Sequence, residues 1–446
     1  LILSMLGLGI ALTSCEDKLD LEPTQSISTE AALSTGDNIE NLLIGAYAEA
    51  GQAASYGGRL QMMADLYGAT DQVSWNGTFQ QPRQVYVKNV LVDNSYVSGF
   101  WLNAYDVINQ TNIVIDNLAI VDEDNQANIE GQARFLRGLT YFDLTRMFGQ
   151  QYMPGQTNDQ LGVPLSLEGI VDYSGNLEIA RATVEENYAQ VIEDLEAAYD
   201  LLPEGNSEFA GRYAAQALLA RVYLQQGDYT NALAAANDVI ENGGFSLTSD
   251  FADAFNNDTD GPETIFAFQV TTQDGSNTLI THYADQANGG RGNDISINDE
   301  YVAMFESEDD VRGEFFYESA QSGDRLTSKY TNQFGNVTIL RLAEMYLIRA
   351  EANLELNSST GATPLEDVNT IRARSGADAL ASVSLEDVLM ERQLELAFEG
   401  FFIHDLKRTM QDVGDIPYDD NSLVFPIPQR EMDVNSLLSQ NPGYGS

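Results

Sequence analysis

Cysteine occurs once in this 446-residue chain, at Cys15, and histidine twice, at His282 and His404. A structural zinc site needs four such ligands, a disulfide needs a second cysteine, and a Cys–His nucleophile pair needs a cysteine inside the fold. Counting excludes all three, and no metal or cofactor site is expected. Basic residues are scarce as well: 22 Lys and Arg face 68 Asp and Glu, a net charge of −46. Nucleic-acid affinity comes from clustered Lys and Arg releasing counterions, so this field repels phosphate backbones. Nucleic acid is excluded as a partner. Also missing are a nucleophile elbow, an HExxH pair and a phosphate loop. No apolar run approaches the roughly 20 residues that a membrane-spanning helix needs.

Apolar residues make up 43% of the chain, enough for a large core in up to about three domains of ordinary size. The acidity suits a salty setting, since about 1 M salt shortens the Debye length to roughly 3 Å and screens self-repulsion.

Residues 1–12 (LILSMLGLGIAL) carry no charge and lead into Thr13-Ser14-Cys15. The run is too short to span a bilayer and is expected to be the apolar core of an export signal covering residues 1–14. It has no basic flank, so the precursor is expected to start upstream of Leu1. Leu12-Thr13-Ser14-Cys15 resembles a bacterial lipobox, in which the cysteine is acylated. Several acyl chains would give a stable anchor, at about 0.8 kcal/mol per buried CH₂. Residues 15–37, opening with Glu16-Asp17-Lys18-Leu19-Asp20, then serve as a solvated tether.

From residue 38 the pattern is mainly helical. Tyr188, Val191, Ile192, Leu195, Ala198, Tyr199 and Leu202 fall on one face of a helix over 184–202. Thr183 and Glu186 form its capping box and Pro203 stops it. A helix over 212–225, small and apolar nearly all round, is followed by a turn at Gly227-Asp228-Tyr229 and a third helix over 230–242. Ala220, Tyr223, Gly227 and Ala232 have the spacing of a tetratricopeptide repeat, whose small residues let paired helices approach closely. Weaker echoes occur at Phe135–Phe148 and Leu340–Leu354, and a further helix is expected from Ser384 to about Arg408. The fold class is therefore mainly α, a tetratricopeptide-like scaffold with short β-runs at Thr264–Val270 and Val85–Val92. Long irregular segments at 55–95, 150–182, 245–300 and 310–337 interrupt it, and loops of that length are usually functional.

Several motifs stand in a telling order: Gly45-Ala46-Tyr47, Phe135-Leu136-Arg137-Gly138, Gly162-Val163-Pro164-Leu165, Leu340-Arg341-Leu342-Ala343-Glu344 and Arg349-Ala350-Glu351-Ala352. Glu395-Leu396, Phe398-Glu399-Gly400, Asp405-Leu406-Lys407-Arg408, Phe425-Pro426-Ile427-Pro428 and Gln440-Asn441-Pro442-Gly443-Tyr444 follow. Together with Cys15 they make the chain resemble the SusD/RagB family of Bacteroidetes surface lipoproteins. The resemblance runs from residue 15 to the end. Phe402 and His404 depart from it, standing where many members have Arg and an aromatic. It implies a single SusD-like domain over 38–446, anchored in the outer membrane and facing outward, with ligand-binding excursions near 55–95 and 245–300. It also implies a non-enzymatic binder of an oligosaccharide, or in some members peptide, that acts as lid to a SusC-like TonB-dependent transporter. Pro426–Tyr444 is one expected source of the transporter contact. Two other readings compete: a repeat scaffold for envelope assembly, and a surface glycoside hydrolase, which needs only two carboxylates beside a cleft.

Sugar binders place aromatic rings under the apolar face of the sugar and polar groups at its hydroxyls. On that logic Trp75 and Asn76, flanked by Tyr67 and Phe79, are the first ligand candidates, and Tyr283 and Arg291 in HYADQANGGRGND (282–294) are the second. Trp101 begins an apolar helical stripe and is expected in the core, and His404 is expected to be structural. Asn256–Gly261 begins like a calcium loop, but Ala267 stands where the bidentate Glu is required. Asp309-Asp310-Val311-Arg312 is expected to be a structural acidic turn.

Overall fold

The structure is a computed structural model that describes residues 33–69, 71–271 and 275–445. The lipobox, Cys15 and most of the tether lie outside the described residues. The frame begins with α1 (Gly36–Ala50), whose N-cap Thr35 accepts a hydrogen bond from Asn38 N, and α2 (Arg59–Gly68). After β1 (Val73–Trp75) and α3 (Gln80–Tyr86) comes α4 (Ser95–Asp116), capped by Asn94, and then α5 (Glu123–Phe148). From Phe135 onward nearly every side chain of α5 is buried, so packing on all sides rather than one amphipathic stripe fixes that helix.

The next three helices follow the expected pattern closely. After β2 (Leu161–Pro164) and β3 (Arg181–Thr183) comes α6 (Val184–Leu201), entered through the complete Thr183–Glu186 capping box. α7 (Arg212–Gln226) ends at Gly227, which sits at φ 71°, a left-handed conformation that glycine adopts without penalty. α8 (Tyr229–Asn242) is capped by Asp228. Ala220 and Ala232 are fully buried between α7 and α8, as close helix approach requires.

The chain then makes its longest excursion, through β4 (Thr264–Phe268), α9 (Thr278–Tyr283), β5 (Ile295–Ile297), α10 (Asp299–Val302), β6 (Phe316–Glu318), β7 (Arg325–Thr327) and β8 (Val337–Arg341). It returns to the frame with α11 (Leu342–Glu355), which packs on α8, and α12 (Pro364–Arg374), α13 (Leu385–Glu395), α14 (Phe402–Arg408) and α15 (Gln429–Val434) follow. Each helix from α4 to α8 packs on the next, giving one continuous core. The strands form four separate antiparallel pairs: β1–β5, β2–β3, β4–β8 and β6–β7.

Two expectations fail on element type. Val85–Val92 is not a strand: α3 carries helix to Tyr86, and Lys88 then turns at φ 53° with its ammonium donating to Ala69 O at 2.6 Å and Tyr86 O at 2.9 Å. The helix expected from Ser384 to Arg408 is broken into α13 and α14. Its break holds Phe398 at φ 65° and Gly400 at φ 84°, because Glu399 is drawn inward to Arg341 and Lys329 while Gly400 N donates to Asp65 at 2.8 Å. Local helical periodicity is overridden by buried charge.

That charge belongs to a network tying the excursion to the frame. Arg341 binds Glu263, Glu395 and Glu399, and Arg312 binds Asp310, Glu391 and Glu395. The Asp309–Arg312 turn is thus structural. Asn256 is structural too, its carboxamide oxygen accepting from Thr331 N at 2.6 Å and Asn332 N at 3.0 Å. Trp101 is buried against Tyr105 and Phe148, and His404 is buried too, where desolvation first, and then Arg146, Lys407 and Arg221, push its imidazole well below the ordinary value.

Candidate ligand-binding site

The two stretches expected to carry ligand residues are about 220 positions apart and meet in space. β1 pairs antiparallel with β5 in the register Val73–Ile297, Ser74–Ser296 and Trp75–Ile295. Asn76 N donates to Asp294 O at 2.7 Å and the Asn76 carboxamide donates to Ser296 Oγ at 2.8 Å, extending the pairing past the strand. Gly77 then turns back over Trp75, and only glycine fits there, because a Cβ would collide with the indole. Arg83 closes the turn by donating to Gly77 O at 3.0 Å.

The six expected ligand residues divide into two groups. Tyr67, Trp75 and Tyr283 are interior residues, with 1%, 5% and 0% of their surface exposed. Tyr67 donates to Ser422 O and stacks on Phe425, while Tyr283 donates to Asp65 Oδ2 at 2.7 Å. Trp75 packs on His282 with ring centroids 5.7 Å apart, and its Nε1 finds no acceptor among the described residues. None of the three turns a ring face to solvent. Their loop composition suggested exposure; the irregular backbone is instead held down by burying its rings.

Asn76, Phe79 and Arg291 form the surface of the site. The Arg291 guanidinium carbon lies 3.7 Å from the Phe79 ring centroid, and its Nε lies 3.5 Å from Asp294. Asp294 is shared, since its Oδ2 also meets His282 Nδ1 at 2.9 Å. His282 is 1% exposed and is ringed by Trp75, Phe79 and Tyr96. On the far side Arg59 stacks over Tyr96 at 4.4 Å. Burial raises the Tyr96 phenol, and Arg59 and Arg291 pull it partly back. The result is a ledge: a half-buried ring under a guanidinium, an exposed carboxamide beside it, and a buried His–Asp pair fixing both. Such a ledge offers the planar guanidinium held on the ring, and the carboxamide beside it, to a polar ligand. His282, Asp294 and Tyr96 were not picked out by sequence reasoning, and His282 and Asp294 stand at the two ends of the 282–294 stretch.

Beneath the ledge, burial lifts the Asp65 carboxyl to about 7, against the hydrogen bonds from Tyr283 and Gly400. Among the described residues no group of three or more His, Cys, Asp or Glu could hold a metal ion, and no helix is long and apolar enough to cross a membrane.

Residues 17–224 match a SusD-like family described as starch-binding and associating with the outer membrane, and residues 241–422 match the SusD family. The chain belongs to the SusD/RagB family. Among its SusD-like relatives is SusD-like protein P2 of Formosa agariphila, 26% identical over 99% of both chains. Solved SusD folds superpose closely: a SusD superfamily protein of Bacteroides thetaiotaomicron gives a TM-score of 0.82 at 27% identity, covering 92% of this chain and 100% of the other. A protein of Bacteroides vulgatus described as sugar-binding gives 0.81 at 28% identity, covering 92% and 99%. The mainly α, tetratricopeptide-like architecture is thus that of SusD, and a nutrient-binding role comes with the family.

Proposed function

We propose that the protein captures an oligosaccharide outside the cell, held on the outer membrane through a lipid on Cys15, and delivers it as a lid to a TonB-dependent barrel. The observation that carries this reading is the nearly full-length likeness to a sugar-binding SusD fold, joined to a surface ledge of Asn76, Phe79 and Arg291. Its chemistry suits a binder. The ledge presents donors stacked on an apolar ring, with the carboxylate of Asp294 buried and occupied by His282 and Arg291. A glycosidase needs two carboxylates set on either side of the scissile bond.

In this reading the barrel supplies the pore and the energy; no helix of the described residues is long and apolar enough to cross a membrane. An obligate lid buries more than about 2,000 Å² in total. Native purification from the source cell with gentle detergent should therefore recover a stable complex with an outer-membrane barrel. Cys15→Ala should release the protein from membranes. Recovery of the wild type only as a free monomer, with intact barrels in the same extract, counts against the lid reading.

A further inference from the structure

A groove of about 660 Å³ lies between α4, the segment 164–179 and the C-terminal stretch around α15. It is separate from the ledge. Nine residues along α4 from Tyr96, Tyr105 lies about 13 Å further on and roughly half a turn round the helix. The 164–179 segment is a strap fastened at both ends. Asn109 exchanges hydrogen bonds with Ile170, donating to its O at 3.0 Å and accepting from its N at 2.7 Å, and Asn112 donates to Ser166 O at 2.8 Å. At the other end Asn435 donates to Ile179 O at 2.9 Å, and Glu178 accepts from Ser436 N at 2.7 Å. Across the opening stand large apolar side chains in water: Tyr173 at 71% exposure, Val434 at 73% and Leu177 at 43%.

Much of the polar lining is already spent within the protein. Asn109 and Asn435 are spent on the strap, and the Tyr105 hydroxyl is spent on Pro164 O at 2.8 Å. Arg181, half-buried at the start of β3, donates to the carbonyls of Gly162, Ser439, Phe148 and Leu161. What remains is an apolar wall that includes Ile108 and Leu438 and the rings of Trp101, Tyr105 and Tyr173, with three carboxylates, of which Glu178 is held by Ser436 N and Asp106 and Glu431 are left. No cation among the described residues pairs with Asp106, and Glu431 meets only its neighbour Arg430, at 3.4 Å. Burial raises both carboxyls, as expected for acids short of a countercharge.

We propose that this groove docks an extended segment of a partner protein in which apolar side chains flank a Lys or Arg. The apolar side chains cover the exposed rim, and the cation reaches Asp106 and Glu431. Charge complementarity selects that occupant over an acidic segment, and the apolar rim selects it over a wholly polar one. The inference stands whether or not the ledge binds sugar.

Labelled nonapeptides built from Leu-Lys-Ser, Ser-Lys-Ser and Leu-Glu-Ser repeats test it by fluorescence anisotropy at physiological salt. The full protein should bind the Leu-Lys-Ser peptide at least tenfold more tightly than either other peptide. Asp106→Asn with Glu431→Gln should remove its advantage over the Leu-Glu-Ser peptide without changing the melting temperature. The pair neutralises two of 68 acids, so nonspecific attraction to the acidic surface is nearly untouched. Val434→Ser with Leu177→Ser should weaken the same peptide and leave Ser-Lys-Ser unaffected. Equal binding of the two lysine peptides, full affinity in the Asn/Gln variant, or tighter competition by a glucosamine oligomer would each overturn the proposal.

Discussion

Trp75 separates a packing residue from a ligand residue. It is 5% exposed and seals the floor of the ledge, so its removal leaves a cavity. Trp75→Ala should cost about 3–5 kcal/mol of stability, read from urea unfolding. Asn76 and Arg291 are exposed, so Ala at both should leave stability within about 0.5 kcal/mol. That double variant should nevertheless lower oligosaccharide affinity by roughly tenfold or more, about 1.4 kcal/mol. A normal urea midpoint in Trp75→Ala would return the ring to the ligand. Asp65 makes a separate prediction. Its carboxyl is raised to about 7 in the fold, while an unfolded aspartate titrates near 3.9, so the native state binds the proton more tightly. Linkage then removes stability as pH rises through 7. Wild type should lose stability between pH 6 and pH 8 relative to Asp65→Asn, a difference that cancels opposing titrations such as that of His404. Parallel pH profiles would show that Asp65 stays ionised throughout.

Legibility differs from element to element. The helices over 184–242 could be read because their caps, turn glycine and apolar spacing are all local, and the structure ends them within a residue or two of expectation. The break between α13 and α14 could not, because its causes lie far off in sequence: Arg341 and Lys329 drawing Glu399 inward, and Asp65 accepting from Gly400 N. The site shows the same limit. Its two stretches were picked out by loop composition, yet which rings face inward depends on the β1–β5 pairing, which no local pattern announces. The elbow can be tested directly. Gly400 sits at φ 84°, and a Cβ there would lie 3.0 Å from Gln61 Cα. Gly400→Ala should destabilise the protein by more than the roughly 1 kcal/mol that a compatible glycine-to-alanine change can gain. A stabilised variant would mean that the elbow relaxes at no cost.

For the whole molecule, charge sets the conditions under which the frame is firm. A net charge of −46 repels itself, and the network of Arg341, Arg312 and Arg374 with Glu263, Glu391 and Glu395 places part of it inside paired and desolvated. Repulsion among surface acids is screened by salt, whereas buried pairs are screened much less. The melting temperature should therefore rise from 50 mM to about 1 M sodium chloride, where the Debye length falls to roughly 3 Å. A fall would mean that surface ion pairs, not repulsion, dominate. On this frame sits the surface proposed to bind sugar without cleaving it. Calorimetric titration of the lipid-free protein with a panel of neutral and acidic oligosaccharides, with product analysis of each mixture, separates binding from cleavage. Saturable binding of at least one oligosaccharide is expected, with no new reducing ends and with loss of that binding in the Asn76→Ala, Arg291→Ala double variant. Cleavage of any oligosaccharide, or binding that survives intact in the double variant, would overturn the proposed function.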